Sequence, residues 1–236
     1  MMHARAIPEP GAAYLRAVGA DSMGAERFAA LWRRCVKSPP SPEGALVYAD
    51  LERRYGAPYR HFHSMDHIRD CVALIDEIAP LLIDPDAVEV ALWFHDAVYE
   101  TGVKTNERRS AELFLELSAG ASFGFRHRVC GLIMATRHAR SVHGNDRQFV
   151  VDIDLSGFGA PWEEFMANGA RLREEFCDVS DADYHAGQVA FLSRLQCRPH
   201  FFATPYFRER FEATARENLS RILDDLTRQG YAGATA

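Results

Sequence analysis

The chain has 236 residues, 47% of them apolar and 25% charged, enough for one large domain or two small ones with a sizeable core. Twenty-seven basic against thirty-three acidic side chains give a net charge of −6, which argues against non-specific binding to nucleic acid polymers or an anionic membrane. The composition excludes disorder, collagen-like repeats and a disulfide scaffold.

Helical spacing runs through nearly the whole chain. Ala25 to Val36 reads as an amphipathic helix with Phe28, Leu31, Trp32 and Cys35 on one face. Pro39, Pro40 and Pro42 stop it, since proline does not fit a helix interior. A second helix runs from about Pro42 to Tyr55 and breaks at Gly56-Ala57-Pro58. Met65 to Leu82 follows, with Ile68, Val72, Ile75 and Ile78 in step. Asp84-Pro85 is a strong helix start, opening an apolar helix expected to continue to Tyr99, with Gly102 ending the segment. Asn106 to Leu117 is amphipathic, Gly120 to Gly124 turns, and Phe125 to Ala139 is helical again. Ser141 to Arg147 reads as a loop. Phe149 to Phe158 is short and apolar, strand or helix by period alone, with Phe149-Val150-Val151 the one β-like patch. Pro161 to Cys177, Ala182 to Gln196 and Tyr206 to Gln229 complete the set. About ten helices without alternating strands indicate an all-α fold. With no repeat and no composition break, residues 1–236 read as a single domain. Its first ~20 residues and the tail after Gly230 are expected to be flexible.

The five cysteines (Cys35, Cys71, Cys130, Cys177 and Cys197) are scattered and never form CxxC. That favours a reduced, cytoplasmic protein with most cysteines packed as small core residues. No apolar stretch resembles a signal peptide or a membrane span.

Ten histidines decide nothing as a count; their placement does. His61, His63 and His67 cluster, and His95-Asp96 sits in the most apolar helical stretch. A buried Asp beside a buried His is costly unless paired or bound to a cation. Asp152-Ile153-Asp154 lies in another apolar stretch. His67, His95, Asp96 and Asp154 together offer two nitrogen and two oxygen ligands from three helices, a set suited to a divalent metal. Each alone is more often an ordinary hydrogen-bonded residue; the order H…HD…D on separate apolar segments is far more specific.

This order resembles the HD superfamily of metal-dependent phosphohydrolases, and within it a bacterial subfamily of predicted phosphohydrolases. The resemblance covers roughly residues 59–159. It rests on the stretches from Tyr59 to Ile68, Trp93 to Tyr99, Asn106 to Ala111, Ala135 to His138 and Asp152 to Leu155. It implies an all-α HD-domain/phosphodiesterase-like helical bundle. It also implies a divalent metal ion (Mn, Mg, Co, Ni, Zn or Fe) on His67, His95, Asp96 and Asp154, with Asp152 as the fallback ligand. The spacing of His63 and His67 is similar to that of cyclic-nucleotide phosphodiesterases, so His63 is the expected general acid, with one helical turn placing both on one cavity. The expected reaction is cleavage of a phosphomonoester or phosphodiester of a small metabolite, a nucleotide first, by metal-activated hydroxide. Asp96, Glu100 and Glu107 are further catalytic candidates; Glu100 shares a helix face with Asp96 if that helix continues. Arg60, Arg137, His138 and Arg140 are candidate phosphate ligands. His127, His138 and His143 leave open a binuclear centre, as in HD-type di-iron oxygenases. A non-catalytic nucleotide-binding module is the other alternative, and a homodimer remains an option for assembly.

Overall fold

In the computed structural model, residues 20–38, 41–139 and 142–231 are described. Among them are ten α-helices and no strand. The helices are α1 (Ala20–Cys35), α2 (Gly44–Tyr55), α3 (Met65–Ile78), α4 (Pro85–Phe94) and α5 (Asn106–Leu117). They continue as α6 (Phe123–Ile133), α7 (Asn145–Asp154), α8 (Trp162–Glu175), α9 (Asp181–Gln196) and α10 (Pro205–Arg228). The all-α reading holds. The expected flexible segments fall outside the described residues, except that Tyr231 donates its N–H to the Leu226 carbonyl and closes α10 through the left-handed Gly230.

Helix α4 is the axis. Every residue from Ala87 to Phe94 is buried, and α1, α3, α5, α6 and α7 pack around it. Its start matches the sequence signal: the Asp84 side chain accepts from the Ala87 N–H, with Pro85 in the first turn. Glu89, buried in this apolar helix, is offset by the Arg27 guanidinium at 2.7 and 3.0 Å. Phe28, Trp32, Trp93, Phe94 and Phe114 stack or meet edge-on beside it. One hydrophobic core runs from Phe28 to Leu226.

Several boundaries differ from the periodicity. Helix α4 stops at Phe94 instead of reaching Tyr99, because side chains take its last carbonyls. Tyr55 donates to the Trp93 carbonyl, His95 Nδ1 to that of Leu92, and Arg60 to those of Asp96 and Ala97. The ambiguous stretch at Phe149 is helix α7, which starts at Asn145, inside the expected loop Ser141 to Arg147, and buries Phe149, Val150, Val151 and Ile153. The predicted helices to Leu82 and Ala139 end in short 3-10 turns at Ala79–Leu81 and Met134–Arg137. Asp146 accepts from the backbone N–H groups of Ile83 and Asp84, tying α7 to the start of α4. Helix α10 crosses the turn Ser156–Gly159 so closely that a Cβ on Gly159 would lie 2.6 Å from that of Phe211. Cys71 is buried, Cys35 and Cys130 partly so, and Cys177 and Cys197 are exposed, so the core holds fewer of them than expected.

Candidate metal centre

Three segments meet at one corner of a large cavity. His67 stands in the first turn of α3, His95 and Asp96 in the turn that follows α4, and Asp154 at the last residue of α7. His67 Nε2 lies 3.3 Å from His95 Nε2 and 3.2 Å from Asp154 Oδ1. His95 Nε2 lies 3.1 Å from Asp96 Oδ2 and 3.3 Å from Asp154 Oδ1. One ligand atom from each of the four residues falls within 4.8 Å of all the others. Atoms bound at about 2.0–2.2 Å to a common ion sit roughly 3–4.4 Å apart, so the spacing suits a single divalent cation.

The electrostatics agree. Burial alone would strip the His95 proton, but Asp96 and Asp154 beside it hold the imidazole well above its ordinary value. Burial would likewise raise both carboxyls, yet the neighbouring imidazoles keep Asp96 and Asp154 well below the usual carboxylate range. Two carboxylates with little solvent exposure therefore call for positive charge at this corner. A divalent cation supplies the same charge and leaves the imidazoles neutral, as ligation requires. His95 Nδ1 donates to the Leu92 carbonyl at 2.8 Å, which turns Nε2 toward the cluster.

The structure places the other candidates differently. The His63–His67 spacing is not one helical turn, because α3 begins at Met65. His63 still faces the cluster, with Nε2 4.0 Å from Asp96 Oδ2. His138 does not stand free for phosphate: its Nε2 donates to Asp154 Oδ2 at 2.8 Å, from a left-handed backbone at φ 51°. Arg137 and Glu107 line the cavity, with Nε and Oε2 3.9 Å apart. Arg60 is withdrawn as a phosphate ligand, because its buried guanidinium is spent on the carbonyls of His63, Asp96 and Ala97. Glu100 is withdrawn as well. With α4 ended at Phe94, it points outward to Arg109 at 2.9 Å and does not line the cavity.

Asp152 is not the alternative ligand. Two residues from Asp154 on a helix, it faces the far side and accepts from Ala203 N, Thr204 N and Thr204 Oγ1, each at 2.7 Å. Its burial pushes the carboxyl up to about 6 despite those donors. His127 stacks on Phe123 beside a separate small pocket, and His143 is exposed away from the cavity. Arg140 lies outside the described residues.

One residue escaped the sequence reading. Glu175, at the end of α8, is fully buried. Its Oε1 accepts from the backbone N–H groups of His61, Phe62 and His63, and its Oε2 takes the His63 Nδ1 proton bond at 2.6 Å. Tyr99 stacks on the other side of that imidazole at 4.1 Å. Burial lowers the His63 imidazole, but Asp96 and Glu175 outweigh it and raise its pKa. Glu175 sits at helical spacing from Asn168 and Leu172, so a carboxylate on that face was the available signal. Comparison with known proteins finds no matching family model, no similar curated protein and no similar solved structure.

Proposed function

We propose that the chain is a metal-dependent phosphohydrolase that cleaves a phosphate ester of a small metabolite, nucleotides being the first class to test. The observation that carries this reading is the set His67, His95, Asp96 and Asp154 at the cavity wall, with His95 buried and the others partly so, converging from three segments with the His63 imidazole beside it. When bound there, a divalent cation supplies a Lewis acid that acidifies water and polarises a phosphoryl oxygen. The four ligand residues hold that charge in place. His63, fixed between Glu175 and Tyr99, holds its Nε2 proton toward the reaction corner and gives it to the leaving oxygen. Arg137 offers a planar pair of donors to the remaining phosphoryl oxygens, and Glu107 next to it can accept a proton from water.

The test is phosphate release from a nucleotide panel with Mn, Mg, Co, Ni, Zn or Fe. Activity is expected with at least one metal. It should be lost in His95→Ala and Asp96→Ala and reduced about 10²–10⁴-fold in His63→Ala. Turnover that survives both ligand substitutions overturns the reading. Two irons per chain with a mixed-valence EPR signal mark the oxygenase alternative, and tight nucleotide binding without turnover marks the non-catalytic one. His127 and His143 lie away from the cluster, which weighs against a second metal, and of the three extra histidines His138 alone reaches it, through Asp154.

A further inference from the structure

The metal corner occupies a small part of its cavity, which measures about 1060 Å³. A phosphate group with its ion fills only a fraction of that, because whole ligand sites typically measure about 300–1,000 Å³. The rest of the space is bounded by two helix faces. Phe165, Asn168 and Leu172 follow one another at helical spacing on α8; Tyr184, Gln188 and Phe191 do so on α9. Phe158 and Phe176 join them. Most of these rings are only half-buried, so apolar surface is left facing the cavity. Uncovered apolar area beside a polar reaction corner is where binding free energy remains to be gained.

Two glycines sharpen the picture. Gly169 on α8 and Gly187 on α9 both line the cavity. A Cβ built on either would meet nothing within 4 Å. No protein atom requires glycine there, and glycine inside a helix lowers its stability relative to alanine. Glycine suits positions where a ligand approaches the backbone closely.

The charges set a further limit. Outside the metal ligands, the wall carries five carboxylates (Asp66, Asp70, Glu107, Glu164 and Asp183) against three guanidiniums. Arg69 and Arg171 are engaged within the protein, and Arg137 is the one left to the reacting phosphate. Arg69 binds Asp66 at 2.9 Å, Arg137 stands 3.9 Å from Glu107, and Arg171 donates to Asn168 at 2.7 Å. The metal corner can neutralise one phosphate, but the wall holds no surplus positive charge for a second and third.

We propose that the site takes a phosphate ester with a single phosphate and a bulky, uncharged, largely apolar alcohol, the alcohol lying between α8 and α9 against Gly169 and Gly187. This rests on the hydrolase reading for its reacting end. It excludes small polyol phosphates and polyphosphates as preferred substrates, so within the nucleotide class it disfavours di- and triphosphates and ranks any monophosphate below an apolar ester.

Three esters test it with the metal-loaded full chain: 1-naphthyl phosphate, glycerol 2-phosphate and ATP. The expected kcat/KM for 1-naphthyl phosphate exceeds the other two by on the order of 10-fold or more, the discrimination an apolar pocket gives for a few carbons. Gly187→Leu, which projects into open space, should cut the ratio of naphthyl to glycerol ester at least several-fold through KM. Gly169→Leu gives the same reading from the facing helix if the first variant fails to fold. Equal efficiency on glycerol 2-phosphate or ATP, or an unchanged ratio in the folded variants, overturns the proposal. If none of the esters is hydrolysed, the hydrolase reading fails separately. The cavity is then judged by fluorescence titration with 1-naphthyl phosphate. Binding weakened in the leucine variants supports the proposal; absent or unaltered binding overturns it.

Discussion

Glu175 orients the His63 imidazole without itself reaching the cluster of His67, His95, Asp96 and Asp154. Its Oε1 gathers three consecutive backbone N–H groups and its Oε2 holds His63 Nδ1 at 2.6 Å, which fixes the tautomer and orientation of the ring. His63 in turn keeps the buried carboxyl below its ordinary range, against the pull of desolvation. Glu175→Gln keeps the shape and removes the charge. We expect kcat to fall by about 10–100-fold, the usual effect of losing such a partner. The raised His63 pKa should also drop back, so the basic limb of the kcat–pH profile moves to lower pH while KM changes little. A uniform loss at every pH, with the basic limb unmoved, would show a purely structural role. The four clustered residues were legible because their chemistry is local: an HD pair in an apolar stretch is costly on its face. Glu175 was not, because its partners are 112 to 114 positions away in the chain. Arg60 misled for the same reason, since a guanidinium in a motif gives no hint of the carbonyls it will serve.

At the scale of elements, the sequence marks starts better than stops. Asp84-Pro85 announces α4 through local capping, and periodicity alone places the start of α5 at Asn106. The end of α4 depends on Tyr55 and Arg60, 38 and 36 residues distant from the carbonyls they take, and no window of sequence shows that. The same holds before α10, where two carboxylates collect the N–H groups of one connection. Asp152 holds Ala203 and Thr204, and Glu212 holds Phe201 and Phe202 at 2.7 and 3.0 Å. These bonds, with Arg216 at 2.9 Å, outweigh desolvation and keep Glu212 below the carboxyl's ordinary 4.5. A folded value below the unfolded one means that the contribution is complete above pH 4.5 and disappears as pH falls through the lower folded value. Melting temperatures of wild type and Glu212→Gln should therefore differ at neutral pH and converge in acid. A gap that is constant from pH 7 to acid would show that the charge of Glu212 contributes nothing.

For the whole molecule, the His/Asp corner is a junction as well as a candidate metal site. Helices α3 and α7 and the turn after α4 converge there, and α4 is the axis on which most of the core is built. A cation that binds the folded chain and not the unfolded one adds RT ln(1 + [L]/Kd), about 2.7 kcal/mol at a hundred-fold excess over Kd. In a chain of this size each kcal/mol moves Tm by about 2–4 °C, so saturation with the cognate metal should raise Tm by roughly 5–10 °C. The control is His95→Ala, which removes one ligand and leaves Asp96 and Asp154 without their nearest compensating imidazole. Its apo form should melt below the wild type, since uncompensated buried carboxylates are destabilising, and metal should move it little. Thermal melts of chelator-stripped protein, with each divalent cation added back in turn, read both effects at once. An equal shift in wild type and variant would mean that the cation binds elsewhere. No shift with any cation would mean that the four residues satisfy one another as an ion-pair cluster, and the hydrolase reading would lose its foundation.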